Sequence, residues 1–226
     1  MLLTNLVTDR HLRELIKQAR DRLDKRHFTQ SAELTLILKD IDVKKGFSLN
    51  EVISLPHKSN DESAICLIGS GDLAMRARKV GIQTVLQPQE LDRLGTNKRE
   101  ARKLVRKHDF FLSDTSLMSS VGRSIGQFLG PKGKMPTPLP YGAPLESIVN
   151  RFQGSIRLRI KNQLSVSAKV GDEGMDDSSL ANNAVAVVSA LEKKLPQGEK
   201  NIRSAVFKFS MSRPAKSGAL KGESVG

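Results

Sequence analysis

AICLIGSGDLAMRARKVGIQTVL, residues 64–86, carries three patterns in succession: a short apolar run, a glycine turn into an amphipathic stretch, and a second apolar run. Ala64–Ile68 is too short and too apolar for a surface helix and reads as a buried strand. Gly69-Ser70-Gly71 turns the chain into a helix through Lys79, and Gly81–Leu86 returns as a strand. Two strands joined by a helix need a crossover, so the expected unit is a small parallel α/β layer. The pattern continues downstream. Asn97 followed by Glu100 is a capping box that opens a helix through Lys107, and Asp109–Leu112 is a further strand. Residues 122–144 then hold Gly122, Gly126, Gly130, Gly133 and Gly142 among Pro131, Pro136, Pro138, Pro140 and Pro144. That density predicts neither a long helix nor a central strand there.

On either side the style differs. Leu12, Leu15, Ile16, Ala19 and Leu23 mark one face of a helix over Thr8–Arg26, with Arg10, Arg13, Lys17 and Arg20 as a stripe beside it. Ala32, Leu34, Leu36 and Leu38 alternate with Glu33, Thr35, Ile37 and Lys39 in a one-sided strand. Gly46 breaks the loop before a short strand, Glu51–Leu55, which Pro56 stops. Beyond the glycine–proline stretch, Ile156, Leu158 and Ile160 oppose Arg157, Arg159 and Lys161. A turn near Asn162 leads to Leu164, Val166, Ala168 and Val170, so the pair is expected to be a hairpin. Asp176–Leu195 has acids at its start, lysines at its end and one apolar face, the strongest helix in the chain. Ser204–Phe209 closes the fold as a strand, and a small polar tail from Ser217 is expected to be loose. The economical arrangement is an α/β (α+β) protein of two domains. Residues 1–59 and 151–226 form one discontinuous domain, and 60–150 are inserted into it.

The chain has 226 residues, 37 Lys plus Arg and 24 Asp plus Glu, for a net charge of +13. A balance of that sign favours a polyanion, chiefly nucleic acid, as partner. The excess is +3 over residues 1–59, +4 over 60–150 and +6 over 151–226, so a folded basic surface is expected rather than a polybasic tail. No apolar run approaches the ~20 residues needed to cross a bilayer, and no membrane partner is expected. Charged residues directly behind the apolar start argue against a signal peptide. The lone Cys66 excludes an internal disulfide and any multi-cysteine metal site, which points to a cytoplasmic protein.

Chemistry for catalysis is missing. His11, His27, His57 and His108 lack metal-binding spacing, Cys66 lies inside an apolar strand, and no G-x-S-x-G elbow occurs. Two nucleotide motifs are near misses. Gly69–Ala74 matches a loose dinucleotide fingerprint, but Asp72 would occupy the anion position and Gln87 stands where a ribose-binding acid belongs. Gly130-Pro-Lys-Gly-Lys134 lacks the Walker spacing, has Met135 after the lysine, and is followed by prolines that forbid the required helix. No enzyme activity, metal or cofactor is expected.

GQFLGPKGKMPTPLP (126–140) resembles the signature loop of the L-one family of large-subunit ribosomal proteins, in its archaeal form. The resemblance extends through RHFTQSAELTLILKDIDVKK (26–45), ISLPH (53–57), GSGDLA (69–74), DFFLSDTSLM (109–118), IRLRIKNQ (156–163) and NIRSAVFKFSM (201–211), in family order. It implies a split βαβ terminal domain with a Rossmann-like insertion. It also implies binding to large-subunit rRNA at the mobile side stalk, beside the exit-site tRNA. Many family members in addition repress translation of their own mRNA. A protein that is monomeric when free is expected.

Family RNA contacts map onto Phe28, Ser31, Glu33 and Ser204, and the family's Thr-Met-Gly ending onto Ser210-Met211-Ser212. The chain departs there: Ser210 replaces Thr, Ser212 replaces Gly, and Arg213 is extra before Pro214. Each residue also has a plainer reading. Phe28 fits a core residue, Met211 a core cap, Ser31 and Ser204 solvated strand ends, and Glu33 half of an ion pair. Arg157, Arg159 and Lys161 suit phosphate contact or a solvated sheet face equally. The competing function is an RNA-recognition-motif protein outside the ribosome, with Phe207 and Phe209 as the stacking platform. A dinucleotide-binding enzyme, resting on Gly69–Ala74 alone, is third.

Overall fold

A computed structural model describes residues 8–42, 47–59, 62–161 and 163–216. In chain order the elements are α1 (Asp9–Asp21), β1 (Ser31–Leu38), β2 (Leu49–Ser54), β3 (Ile65–Ile68), α2 (Gly71–Lys79) and β4 (Thr84–Leu86). There follow α3 (Pro88–Thr96), α4 (Lys98–Lys107), β5 (Phe110–Asp114), α5 (Met118–Leu129), β6 (Thr137–Leu139) and α6 (Leu145–Gln153). The chain ends with β7 (Ser155–Ile160), β8 (Ser165–Asp172), α7 (Asp177–Glu192), β9 (Ile202–Phe209) and β10 (Ala215–Lys216). Gly46, Asn162 and the tail from Ser217 lie outside the described residues. The fold is mixed α/β and divides into two compact units, Met1–Asp61 with Ser155–Gly226, and Glu62–Gly154.

The first unit is built on an antiparallel sheet in the order β10-β9-β1-β8, beside a two-stranded β2–β7 ribbon. Alternation makes the sheet one-sided. Ala32, Leu34, Leu36 and Leu38 of β1, Val166, Ala168 and Val170 of β8, and Ala205, Phe207 and Phe209 of β9 are buried in one core with α1 and α7. Leu12, Leu15, Ile16 and Ala19 supply the buried stripe of α1, which stops at Asp21, earlier than the apolar spacing to Leu23 suggests. Asn183 of α7 is fully buried and fully bonded. Its amide donates to the carbonyls of His57 and Val170, both at 2.8 Å, and its oxygen accepts from His57 N–H at 2.9 Å. A buried amide satisfied this way fixes helix, sheet and the ISLPH segment together.

The expected hairpin across Asn162 is corrected by the pairing. β7 pairs with β2, Arg157 opposite Val52 and Arg159 opposite Asn50, while β8 pairs with β1. Both strands are apolar on one side, and each pairs along its length with an antiparallel partner elsewhere in the chain.

The second unit is a parallel sheet, β4-β3-β5-β6. Its core collects Ile68, Leu91, Val105, Phe111, Val121 and Ile125. Cys66 is buried, and burial, with Glu90 nearby, pushes its thiol pKa up to about 12, so it packs as an inert apolar group. Three helices run where none was expected, α3, α5 and α6. α3 opens at Pro88 with a full capping box between Gln87 and Glu90. α5 runs through Gly122 and Gly126 because Val121, Ile125 and Leu129 bury a stripe. That burial outweighs roughly 1 kcal/mol lost per helical glycine.

His108, at the end of α4, is 3% exposed, with Nδ1 3.0 Å from the Leu104 carbonyl and Nε2 2.9 Å from Thr84 Oγ1. Burial holds its pKa below the usual value. The Leu104 bond and Asp109 act the other way, and Lys107 and Lys134 reinforce the lowering. A folded pKa below the unfolded one gives stability that is whole above the unfolded value near 6.5 and is lost as pH falls beneath it. Melting of the full chain should therefore drop between pH 7.5 and 5.5. A His108→Gln chain should be less stable at pH 7.5 but show a flatter slope over that range. Equal slopes in the two calorimetric series would refute the assignment.

Candidate nucleic-acid interface

The face of the first unit's sheet turned away from α1 and α7 is polar. Register sets it out in rows: Lys208, Glu33 and Lys169 across β9, β1 and β8, then Val206, Thr35 and Ser167, then Ser204, Ile37 and Ser165. Glu33 is half-buried and its carboxylate lies 3.6 Å from Lys208 Nζ, so the ion-pair reading of Glu33 holds in the unbound protein. Thr35 Oγ1 and Ser167 Oγ are 2.8 Å apart. The register of β1 with β8 slips between Ala32 and Glu33, and that with β9 slips between Ile37 and Leu38. Bulges increase local twist and re-aim side chains, and here one lies beside Glu33 and the other beside Ser204.

At one end of this face the chain makes a compact corner. Ser210 Oγ accepts from Ser31 N–H at 3.2 Å, and Ser210 N–H donates to the Ser31 carbonyl at 3.0 Å. Gln30, fully buried, organises the rest. Its amide donates to the Asp24 carbonyl at 2.7 Å, and its oxygen accepts from Met211 N–H at 3.0 Å. Met211 is thereby presented outwards, 58% exposed. Phe28, two residues before Gln30, is 53% exposed. Neither is in the core, so the plain core readings of both fall. Met75, Met135, Tyr141 and Leu164 are exposed too, so exposure alone says little; what sets Met211 apart is that its backbone is tied to the buried Gln30 beside a row of hydroxyls. Ser212 does what a glycine cannot. Its hydroxyl accepts from Phe209 N–H at 3.0 Å and donates back to the Phe209 carbonyl at 3.2 Å, closing the turn. Among the described non-glycine residues only Asp40 has a positive φ, so the serine stands there without backbone strain.

The corner thus brings together Ser31, Ser210, Met211 and Ser212, with Phe28 beside Gln30 and Glu33 one step along β1. Ser204 lies towards the other end of the same sheet face. Arg157 and Arg159 do not join them: they are half-buried on the β2–β7 ribbon, and Lys161 is exposed just beyond β7. Gln30, Lys169 and Lys208 were not among the residues picked out from sequence. The two lysines could have been found from strand alternation, as polar-face neighbours of Glu33. Gln30 carries no local signal, because its role depends on a turn 181 residues away.

The stacking platform of the competing reading is absent. Phe207 and Phe209 are fully buried, packed edge to face at 5.8 Å on the helix side of the sheet, and Arg20 lies over Phe209 at 5.1 Å. An RNA-recognition platform needs its aromatics on the open face. The two nucleotide near misses are structural as well. Gly69 is packed so tightly that a Cβ would meet Leu73 at 2.9 Å, and Asp72 pairs with Arg76 at 3.8 Å. Gly130–Lys134 follows the carboxyl end of α5, the negative end of that helix, where a phosphate is repelled. Among the described residues no cluster of His, Cys, Asp or Glu is placed to hold a metal ion, and no helix is long and apolar enough to cross a membrane.

Residues 15–213 match the model of the ribosomal protein L1p/L10e family. The large ribosomal subunit protein uL1 of Cenarchaeum symbiosum is 48% identical over 206 residues, covering 91% of this chain and 95% of that relative. The proteins of the same name from Thermofilum pendens and Thermococcus kodakarensis are 41% and 40% identical, each over at least 90% of this chain and 94% of their own length. With nearly its whole length matched both by the family and by its archaeal members, the chain belongs to the ribosomal protein L1p/L10e family.

Proposed function

We propose that this protein is built into the large ribosomal subunit, binds large-subunit rRNA at the mobile side stalk, and assists release of exit-site tRNA. The family is one of structural ribosomal proteins, and the chain is not an enzyme. The observation that carries the rRNA reading is the corner of the first unit, where Met211 and Phe28 stand exposed beside hydroxyls on a backbone locked by Gln30. Phe28, Ser31, Glu33, Ser204, Ser210, Met211 and Ser212 form the specific surface, and Arg157, Arg159 and Lys161 add phosphate contacts. A similar RNA element in the protein's own mRNA would occupy the same surface and repress translation. Footprinting the full chain on total large-subunit rRNA tests the reading: one compact protected site is expected, and diffuse protection over many sites would reject it.

The first unit is proposed to be the RNA-binding domain and Glu62–Gly154 an insertion into it. All seven specific residues lie outside the insertion. Its two ends meet, since Ser63 N–H donates to the Gln153 carbonyl at 3.2 Å, so a short glycine–serine linker can replace it. A chain lacking 62–154 should fold and keep its affinity for the protected rRNA fragment within about fivefold. Loss of specific binding by a chain with native circular dichroism would reject this division of labour.

A further inference from the structure

We propose that α4 of the inserted unit is a second RNA surface, one that holds phosphate backbone without reading sequence. It rests on the reading of this chain as an RNA-binding protein and adds a site to it. Six of the ten residues of α4 are basic (Lys98, Arg99, Arg102, Lys103, Arg106 and Lys107), and all six are exposed. None of them makes an ion pair among the described residues, and the helix's one acid, Glu100, lies 3.4 Å from Arg93 of α3 instead. Helix α1 shows the usual alternative: Arg10 pairs with Glu14, Arg13 with Asp9 and Arg20 with Asp177. Lys103 and Lys107 share a depression with Glu90 and Glu100, whereas Arg102 and Arg106 line one that holds no acid.

Helix stability does not account for them. A helix favours cations at its carboxyl end, which suits Arg106 and Lys107, but Lys98 and Arg99 sit in the first turn against the positive end. There they cost stability, which a gain elsewhere must offset. The stripe also borders a built depression of about 420 Å³, lined by Arg102, Arg106, Lys132, Gln127, Phe128 and Pro131, with no acid in its wall. The Arg102 guanidinium lies over the Phe128 ring at 5.8 Å. That platform limits the rotamers of the guanidinium while leaving its donors free. A concave, acid-free pocket with a held arginine beside a basic stripe fits a run of phosphates. It offers little to read a base edge.

The test compares full-length chains on a 20-base-pair RNA duplex of arbitrary sequence, by fluorescence anisotropy over a series of potassium chloride concentrations. Arg102→Gln/Arg106→Gln removes two charges from α4. Arg78→Gln/Lys79→Gln removes two exposed bases from α2 of the same unit as a control for net charge. The α4 pair should lose at least about fivefold in affinity at low salt, and its log–log salt slope should fall by about 2. The α2 pair should change affinity by less than about twofold. Equal losses in both variants would mean general electrostatics and overturn the proposal. No loss in the α4 pair would also overturn it and favour an acidic protein as what the stripe meets. The rRNA fragment protected in footprinting separates this from the parent reading. Failure of the unsubstituted chain to bind that fragment sinks the RNA reading itself, whereas intact fragment binding with unaltered duplex binding sinks only α4.

Discussion

Glu33→Ala should weaken binding to the cognate rRNA fragment by about 5- to 150-fold, on the order of 1–3 kcal/mol, although it makes the protein more positive. Electrostatics alone gives the opposite sign. Removing the carboxylate raises the net charge by one and frees Lys208, which lies 3.6 Å away, for phosphate. A loss therefore requires that the carboxylate accept from a ribose 2′-OH or a base N–H at a fixed place. Fixity is what the surroundings supply: Lys208 and Lys169 flank Glu33 in register on the two neighbouring strands. Met211→Ala should cost a similar amount through lost packing, since the side chain is exposed in the free protein and its backbone is tied to Gln30. An unrelated stem-loop should bind both variants equally well or slightly better. Filter binding of both RNAs at two salt concentrations decides it, and equal losses on both would show that the corner does not carry specificity.

Much of this site could be read from the chain, because it is built from local rules. Strand alternation alone puts Ala32, Leu34 and Leu36 inside and Glu33 and Thr35 outside, and the structure agrees residue for residue. The same rule placed Phe207 and Phe209 on one face but could not say which face is open. That depends on where α1 and α7 pack, a tertiary choice. Pairing partners were beyond local reading for the same reason. β7 and β8 are adjacent in sequence and look like a hairpin, yet β7 finds β2 more than 100 residues away. The missed helices have a different origin. In 122–144 the glycines and prolines mask the i, i+4, i+8 stripe of Val121, Ile125 and Leu129, whose burial outweighs two glycines. In α3 the strand before Gln87 hid a capping box that was plain in Gln87-Pro-Gln-Glu90. Charge was the least legible level. The bases of α1 and α4 look alike as letters, and only the structure shows three of those in α1 in ion pairs and Arg102 and Arg106 of α4 in none among the described residues.

Lys134→Met should destabilise the second unit by about 1.5–3 kcal/mol while leaving rRNA affinity unchanged. In sequence this lysine occupies the place of a phosphate-binding residue; in the fold it is a clamp. Gly130 ends α5, Pro131 and Lys132 continue in a single tight turn, and Gly133 takes the left-handed conformation at φ 68° that stops it. Lys134 then points back into the unit with its side chain 19% exposed. Its ammonium donates to the carbonyls of His108 at 2.6 Å and Val105 at 3.3 Å, and lies 3.6 Å from Asp109. These carbonyls end α4, so the charge meets the negative end of that helix and satisfies groups that have no partner within it. Methionine keeps the stem and its packing but removes the donors, leaving the carbonyls short of partners. Differential scanning calorimetry should show a lowered transition in the variant, with millimolar ATP or GTP shifting neither protein. A nucleotide-dependent rise in the unsubstituted chain that Lys134→Met abolishes would restore the phosphate-loop reading. An unchanged transition would show that the clamp contributes nothing.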